Sequence, residues 1–150
     1  MRMARGTASK ERSISIIKFS RLGSHFLLAA ALYAELPPQV YEKLKADAPE
    51  LVKIKVTQVK ATETPKGGYT QVLVEAKVEV VNITRSATQL KKGSALRVLY
   101  QTETKRTGPW VGPSPIPILT QGQVSTAYLQ RISSKNPSVY EPAARGQSFQ

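Results

Sequence analysis

Gln71-Val72-Leu73-Val74-Glu75-Ala76-Lys77-Val78-Glu79-Val80-Val81 is the stretch from which the fold can be read. Val72, Val74, Ala76, Val78 and Val80 share one parity, while Leu73, Glu75, Lys77 and Glu79 share the other. Successive side chains of a strand point to opposite faces, so this pattern predicts an antiparallel strand buried on one side and wet on the other. Upstream, Val52, Ile54 and Val56 alternate with Lys53, Lys55 and Thr57, and then Val59 and Ala61 carry the apolar phase on the opposite parity. A bulge near Thr57-Gln58 accounts for that slip, and bulges bend strands as small barrels require. Between the two strands, Thr64-Pro65-Lys66-Gly67-Gly68 reads as a turn.

Downstream, Gly93 introduces a third strand from Ala95 to Thr102, with Leu96, Val98 and Tyr100 on one side. The segment 108–117 carries Pro109, Pro113, Pro115 and Pro117, which excludes a central strand there. A fourth strand is expected from Gln123 to Ile132, with Val124 and Tyr128 inward and Ala127 and Leu129 available to a second layer. The tail beginning at Tyr140 shows no regular pattern; Tyr140 and Phe149 are expected to pin it to the domain.

The first thirty-odd residues differ in kind. Arg2, Arg5, Lys10, Arg12, Lys18 and Arg21 precede an apolar run from Phe26 to Ala34, shorter than the ~20 residues of a membrane span. A basic segment followed by ~7–15 apolar residues and small residues at the exit predicts a signal sequence over residues 1–34 and a chain exported to the periplasm or the medium. Cleavage after Ala31 and after Ala34 both fit, retention as an anchor or interfacial helix is the alternative, and translation starting later than Met1 would shorten the basic arm. Cleavage would leave no membrane span. Within residues 35–49, Pro37 and Pro38 suit the first turn of a helix, Val40, Tyr41, Leu44 and Ala48 fall on one face, and Pro49 ends it.

The 150 residues carry a net charge of +12, 41% hydrophobic residues and no cysteine. Disulfides and cysteine-ligated metals are thereby excluded, and the chain must be held by its core. The only histidine, His25, lies in the signal segment. A mature chain without His or Cys has neither of the usual nucleophilic systems nor an ordinary zinc site. Glu75 and Glu79 stand about 13 Å apart along a strand, too far for a glycosidase carboxylate pair at ~9.5 Å or less. No enzyme activity, metal or cofactor is expected.

The segments LVKIKVTQVKA (51–61), QVLVEAKVEVV (71–81), LKKGSALRVLYQTE (90–103) and PIPILTQGQVSTAYLQRI (115–132) together resemble the OB-like barrel of netrin-like domains and tissue inhibitors of metalloproteinases. The chain is also similar to small exported bacterial proteins with an LPP helix start, here Leu36-Pro37-Pro38, and a terminal YEPAARGQSF-like segment, here 140–149. The resemblance implies a mainly β fold: a small antiparallel OB-like barrel over residues 50–150 with a C-terminal tail, preceded by one short amphipathic helix. The inhibitors' activity depends on an N-terminal cysteine and disulfides that this chain does not have, so that activity is not carried over.

The expected role is a non-catalytic binding module whose partner is a protein or an anionic glycan or surface. The alternative is a basic barrel binding nucleic acid or another polyanion. Single-strand binders stack bases on strand aromatics, and the wet parity of the second strand offers none, so nucleic acid is disfavoured. Lys105, Arg106, Trp110 and Tyr69 form the candidate binding surface, because Trp and Arg in a stiff loop are frequent anchors. The competing reading makes Trp110 a lid over the barrel end.

Overall fold

The computed structural model describes residues 35–109 and 112–150. The predicted signal segment and Trp110 lie outside the described residues. The described chain forms helix α1 (Pro38–Asp47) and five strands: β1 (Glu50–Lys66), β2 (Tyr69–Ser86), β3 (Ala95–Thr104), β4 (Val124–Arg131) and β5 (Val139–Pro142). A 3-10 turn, Arg145–Gln147, follows β5. The sheet closes in a ring in the order β1-β2-β3-β5-β4. Four pairings are antiparallel and one, β3 with β5, is parallel through Arg97↔Val139 and Val98↔Tyr140. The sheet is therefore mixed where a purely antiparallel one is expected from sequence.

The valine alternation does what its parity predicts. Val72, Val74, Ala76, Val78 and Val80 are buried with Val52, Ile54, Val56, Leu96, Val98 and Tyr100 in one core. β-branched side chains suit this surface because their single preferred χ1 costs little to fix. The register slips between Val56 and Gln58, at the expected bulge, and the Thr57 hydroxyl donates to the Lys77 carbonyl at 2.9 Å where the ladder breaks. Beyond the bulge β1 pairs with β2 alone, since its pairing to β4 covers only Glu50 to Lys55. The β1–β2 hairpin therefore extends beyond β4 with β3 still paired to β2, and ends in a two-residue Gly67-Gly68 turn, tighter than the five-residue turn read from sequence. Gly68 takes φ +101°, open to glycine without strain.

Two expectations are corrected. On β4 the parity is reversed: Ser125, Ala127 and Leu129 are buried, Val124 is 49% exposed and Tyr128 is half-buried with the Lys45 ammonium 5.9 Å from its ring centre. Phe149 and Tyr140 fill the interior beside β4, so the inward positions take small residues while Tyr128 lies under α1. The tail is also no appendage. Residues 139–142 are the strand that completes the ring, and Phe149 bridges Ala127 with its ring 5.7 Å from that of Tyr100. Gly146 packs so closely on the proline segment that a Cβ there would stand 2.6 Å from the Ser114 carbonyl oxygen.

The proline segment covers one end of the ring. The Tyr100 hydroxyl donates to the Pro117 carbonyl at 2.9 Å and accepts from the Leu119 amide at 3.0 Å, and the Thr102 hydroxyl donates to the Ile116 carbonyl at 2.6 Å. Prolines 113, 115 and 117 bring no amide N–H to satisfy, so the carbonyls alone need partners, and β3 supplies them. At the other end the fully buried Glu50 accepts the Thr88 amide at 3.0 Å, and Thr88 shares a 2.7 Å bond with Tyr140. Helix α1 is anchored by buried Tyr41 and Ala48, whereas Val40 of the predicted face is 38% exposed. Arg85 from β2 donates to the Ala48 and Lys45 carbonyls, closing the helix C-terminus where a cation is favoured.

Candidate binding surface

Three of the four residues singled out from sequence do come together. Tyr69 begins β2 at the hairpin tip, and Lys105 and Arg106 follow the end of β3. Register pairs Thr70 with Thr104, which carries the 105–107 turn alongside the tip. Thr107 donates to the Gly68 carbonyl through its amide at 2.8 Å and its hydroxyl at 3.1 Å. The Arg106 guanidinium lies 5.2 Å above the Tyr69 ring, a cation–π contact. Each cation also has a carboxylate: Lys105 bonds Glu63 at 2.7 Å, and Arg106 bonds Glu103. These two ion pairs clasp the turn to the hairpin, and Lys66, across from Tyr69, makes no salt bridge among the described residues. Trp110, the fourth member, falls outside the described residues.

A second cationic region occupies the outer face of β1–β2–β3. Strand parity there exposes Lys53, Lys55 and Lys60 on β1, Lys77 and Glu79 on β2, and Arg97 on β3, with Glu75 half-buried among them. Register sets Lys77 directly across from Arg97, two like charges on neighbouring strands. Like charges directly opposite on a sheet are destabilising. Arg97 turns instead to Glu75, binding its Oε1 through two nitrogens at 2.7 and 3.1 Å. Lys60 stands across from that same Glu75, and Lys55 across from Glu79, without closing an ion pair. Among the described residues Lys53, Lys55, Lys60 and Lys77 make no salt bridge.

This face is also concave. A cavity of about 380 Å³ has a mainly apolar lining that includes Val78, Ala95 and Leu96, with Thr57, Lys77, Glu79, Arg97 and Ser138 around it. A second, of about 220 Å³, is lined by Gln58, Lys60, Glu75 and Lys77. Lys77 borders both, so the two hollows adjoin at this side chain and are together termed the groove. The bulge helps to shape it: Thr57 is the extra residue, and it bends β1 away at that point. The basic strand residues were visible in the sequence, but their convergence depends on cross-strand register, which alternation alone does not supply.

Elsewhere, a smaller cavity of about 250 Å³ lies between the proline segment and β3, lined by Gln101, Glu103, Ser114 and Arg145. The Tyr41 hydroxyl donates to Glu35 at 2.7 Å and Ser114 donates to the same carboxylate at 3.1 Å. The Tyr41 bond chiefly holds the Glu35 carboxyl below its usual range, partial desolvation opposes it, and Ser114 adds to the lowering. Burial pushes the Tyr100 hydroxyl up to about 12, against the lowering effect of the Leu119 amide bond. Among the described residues no cluster of three or more His, Cys, Asp or Glu is placed to hold a metal ion. No helix among them is long and apolar enough to cross a membrane. No protein-family model, curated protein or solved structure matches the chain.

Proposed function

We propose that the chain is an exported, non-catalytic binding module that captures an anionic ligand on the outer face of β1–β2–β3. The observation that carries this reading is Lys77: it lies in the groove opposite Arg97, with no salt-bridge partner among the described residues. A cation kept opposite another cation is a local cost that a bound anion would offset. The ring order β1-β2-β3-β5-β4 and the bulged first strand support an OB-like, netrin-like scaffold. In OB-type barrels the face of strands 2 and 3 is the usual ligand surface, and the groove lies on it. Export rests on the basic arm and the apolar run Phe26–Ala34.

The test is retention of the mature domain on immobilised polyanions, measured against salt. Counterion release makes such binding fall steeply as salt rises. Binding that weakens with salt and is lost in Lys60→Gln/Lys77→Gln supports the reading; absence of binding, or salt-independent binding, refutes it. Export is checked by the mass of the chain recovered from its own host. A start near Leu32 or Glu35 in the envelope or medium agrees with export, and an intact N-terminus in the cytoplasm contradicts it.

A further inference from the structure

The groove is not uniformly basic, and that mixture points to a particular class of anion. We propose that it holds an acidic polysaccharide, with sulfate or uronate groups on Lys55, Lys60, Lys77 and Arg97 and sugar hydroxyls donating to Glu79. This rests on the anion-binding reading above and narrows it.

Glu79 decides between polyanions. It lines the larger cavity beside Lys77, is exposed, and makes no salt bridge among the described residues. A carboxylate is an acceptor only, so it gains from a ligand that brings O–H donors. A sugar chain carries hydroxyls between its anionic groups and can alternate as the groove does, cation then carboxylate. The phosphodiester backbone of DNA has no donor at its charged groups and would meet Glu79 with repulsion alone.

The side chains around the cations agree. Single-stranded nucleic acid is held by stacking bases on aromatic rings. The outward positions of the three paired strands near the groove are Gln58, Thr62, Leu73, Leu99 and Gln101 besides the charged residues, and none is aromatic. The strand aromatics are elsewhere: Tyr100 is buried, Tyr128 is half-buried beneath Lys45, and Tyr69 is under Arg106 at the tip. Gln58 and Ser138 add neutral hydrogen-bonding groups at the groove edge, suited to hydroxyls. Along β1, Lys53 and Lys55 are about 7 Å apart and Lys60 lies roughly 13 Å beyond Lys55 at the usual rise, because the bulge takes up one residue. A linear ligand spans that row, whereas a single small anion meets only one end of it.

The full chain has a net charge of +12 and the domain without residues 1–34 remains basic, so it attracts any polyanion and the test compares ligands of matched charge. Affinities of the mature domain are measured by calorimetry for a heparin-derived octasaccharide and for an oligo(dT) of equal charge, at one salt concentration. The octasaccharide is expected to bind at least tenfold more tightly. Lys60→Gln/Lys77→Gln is expected to reduce its affinity about tenfold or more. Lys43→Gln/Lys135→Gln, which removes the same charge outside the groove, is expected to reduce it less than threefold. Glu79→Gln is expected to narrow the preference for the octasaccharide over oligo(dT). All substituted side chains are exposed, and an unchanged melting temperature establishes that each variant is folded.

Equal or tighter binding of oligo(dT) would overturn the polysaccharide assignment while leaving anion binding in place. An equal loss in both double variants would overturn the groove as the site. Binding of neither ligand would overturn both this inference and the reading it rests on.

Discussion

The tip of the β1–β2 hairpin and the groove a few residues below it are both rich in cations, and they use them in opposite ways. At the tip Lys105 meets Glu63 and Arg106 meets Glu103, and Arg106 also covers Tyr69, while Lys66 beside the turn makes no salt bridge among the described residues. On the outer face below it Lys53, Lys55, Lys60 and Lys77 make no salt bridge among the described residues, and Lys77, which lines the groove with Lys60, faces Arg97. A surface ion pair contributes only about 0–1 kcal/mol, so the tip is a modest clasp rather than a foundation. In the groove only Arg97 closes an ion pair among the described residues, with Glu75. What separates the two clusters is how their charges close: two ion pairs tie the turn to β1 and β3 at the tip, whereas on the outer face the register sets Glu75 and Glu79 across from Lys60 and Lys55 without a closed pair and leaves Lys77 facing Arg97.

Both regions hang on the same barrel, and the largest effect should come from loosening it. Tyr100→Phe leaves the Leu119 amide and the Pro117 carbonyl without their partner, a loss of about 1–3 kcal/mol by denaturant unfolding. The wild-type domain should also lose stability in alkali. With the folded hydroxyl at about 12 and an ordinary value of 10.0, the contribution is complete below pH 10 and is lost as the pH rises toward 12. Tyr100→Phe should flatten that part of the profile. An unchanged alkaline slope would mean that the proline segment is not held by this hydroxyl.

Next in size is binding. Lys60→Gln/Lys77→Gln should weaken polyanion affinity about tenfold, equivalent to ~1.4 kcal/mol, whereas Lys105→Gln/Arg106→Gln should change it less than threefold. The reverse ranking would make the tip the site and the groove ordinary surface. Smaller again is the stability of the tip itself: Arg106→Gln removes an exposed pair and a ring contact and should cost about 0.5–1 kcal/mol. The smallest effect has the opposite sign. Lys77→Gln relieves the repulsion from Arg97 and should raise stability by a few tenths of a kcal/mol, since cross-strand pairs contribute roughly 0.2–1 kcal/mol. A substitution that stabilises the domain while weakening binding would mark the lysine as kept for its ligand.

Legibility in the sequence followed the range of the interactions. The β2 alternation and the Thr57 bulge are local, and both appear where the sequence puts them. The parity of β4 was misread because Val124 and Tyr128 are the larger side chains. The interior there is already filled by Tyr140 and Phe149, which come from residues more than ten positions away, and it takes Ser125 and Ala127 instead. β5 is four residues long and pairs with β3 from across the chain, so no periodicity announces it. The candidate site shows the same limit. Lys105, Arg106 and Tyr69 were found by residue type and do converge, yet their carboxylate partners, one of them on β1, were not. The groove cations were visible one by one as wet-face residues, and only the pairing of three strands assembles them.

The most direct test of the groove as the ligand surface is an amide-resolved NMR titration of the mature domain with the sulfated octasaccharide. Shift changes concentrated at residues 55–60, 75–79 and 95–97 and at Ser138, with 66–69 and 103–107 nearly unmoved, are the predicted result. Changes centred on the hairpin tip, or none that saturate, would contradict it.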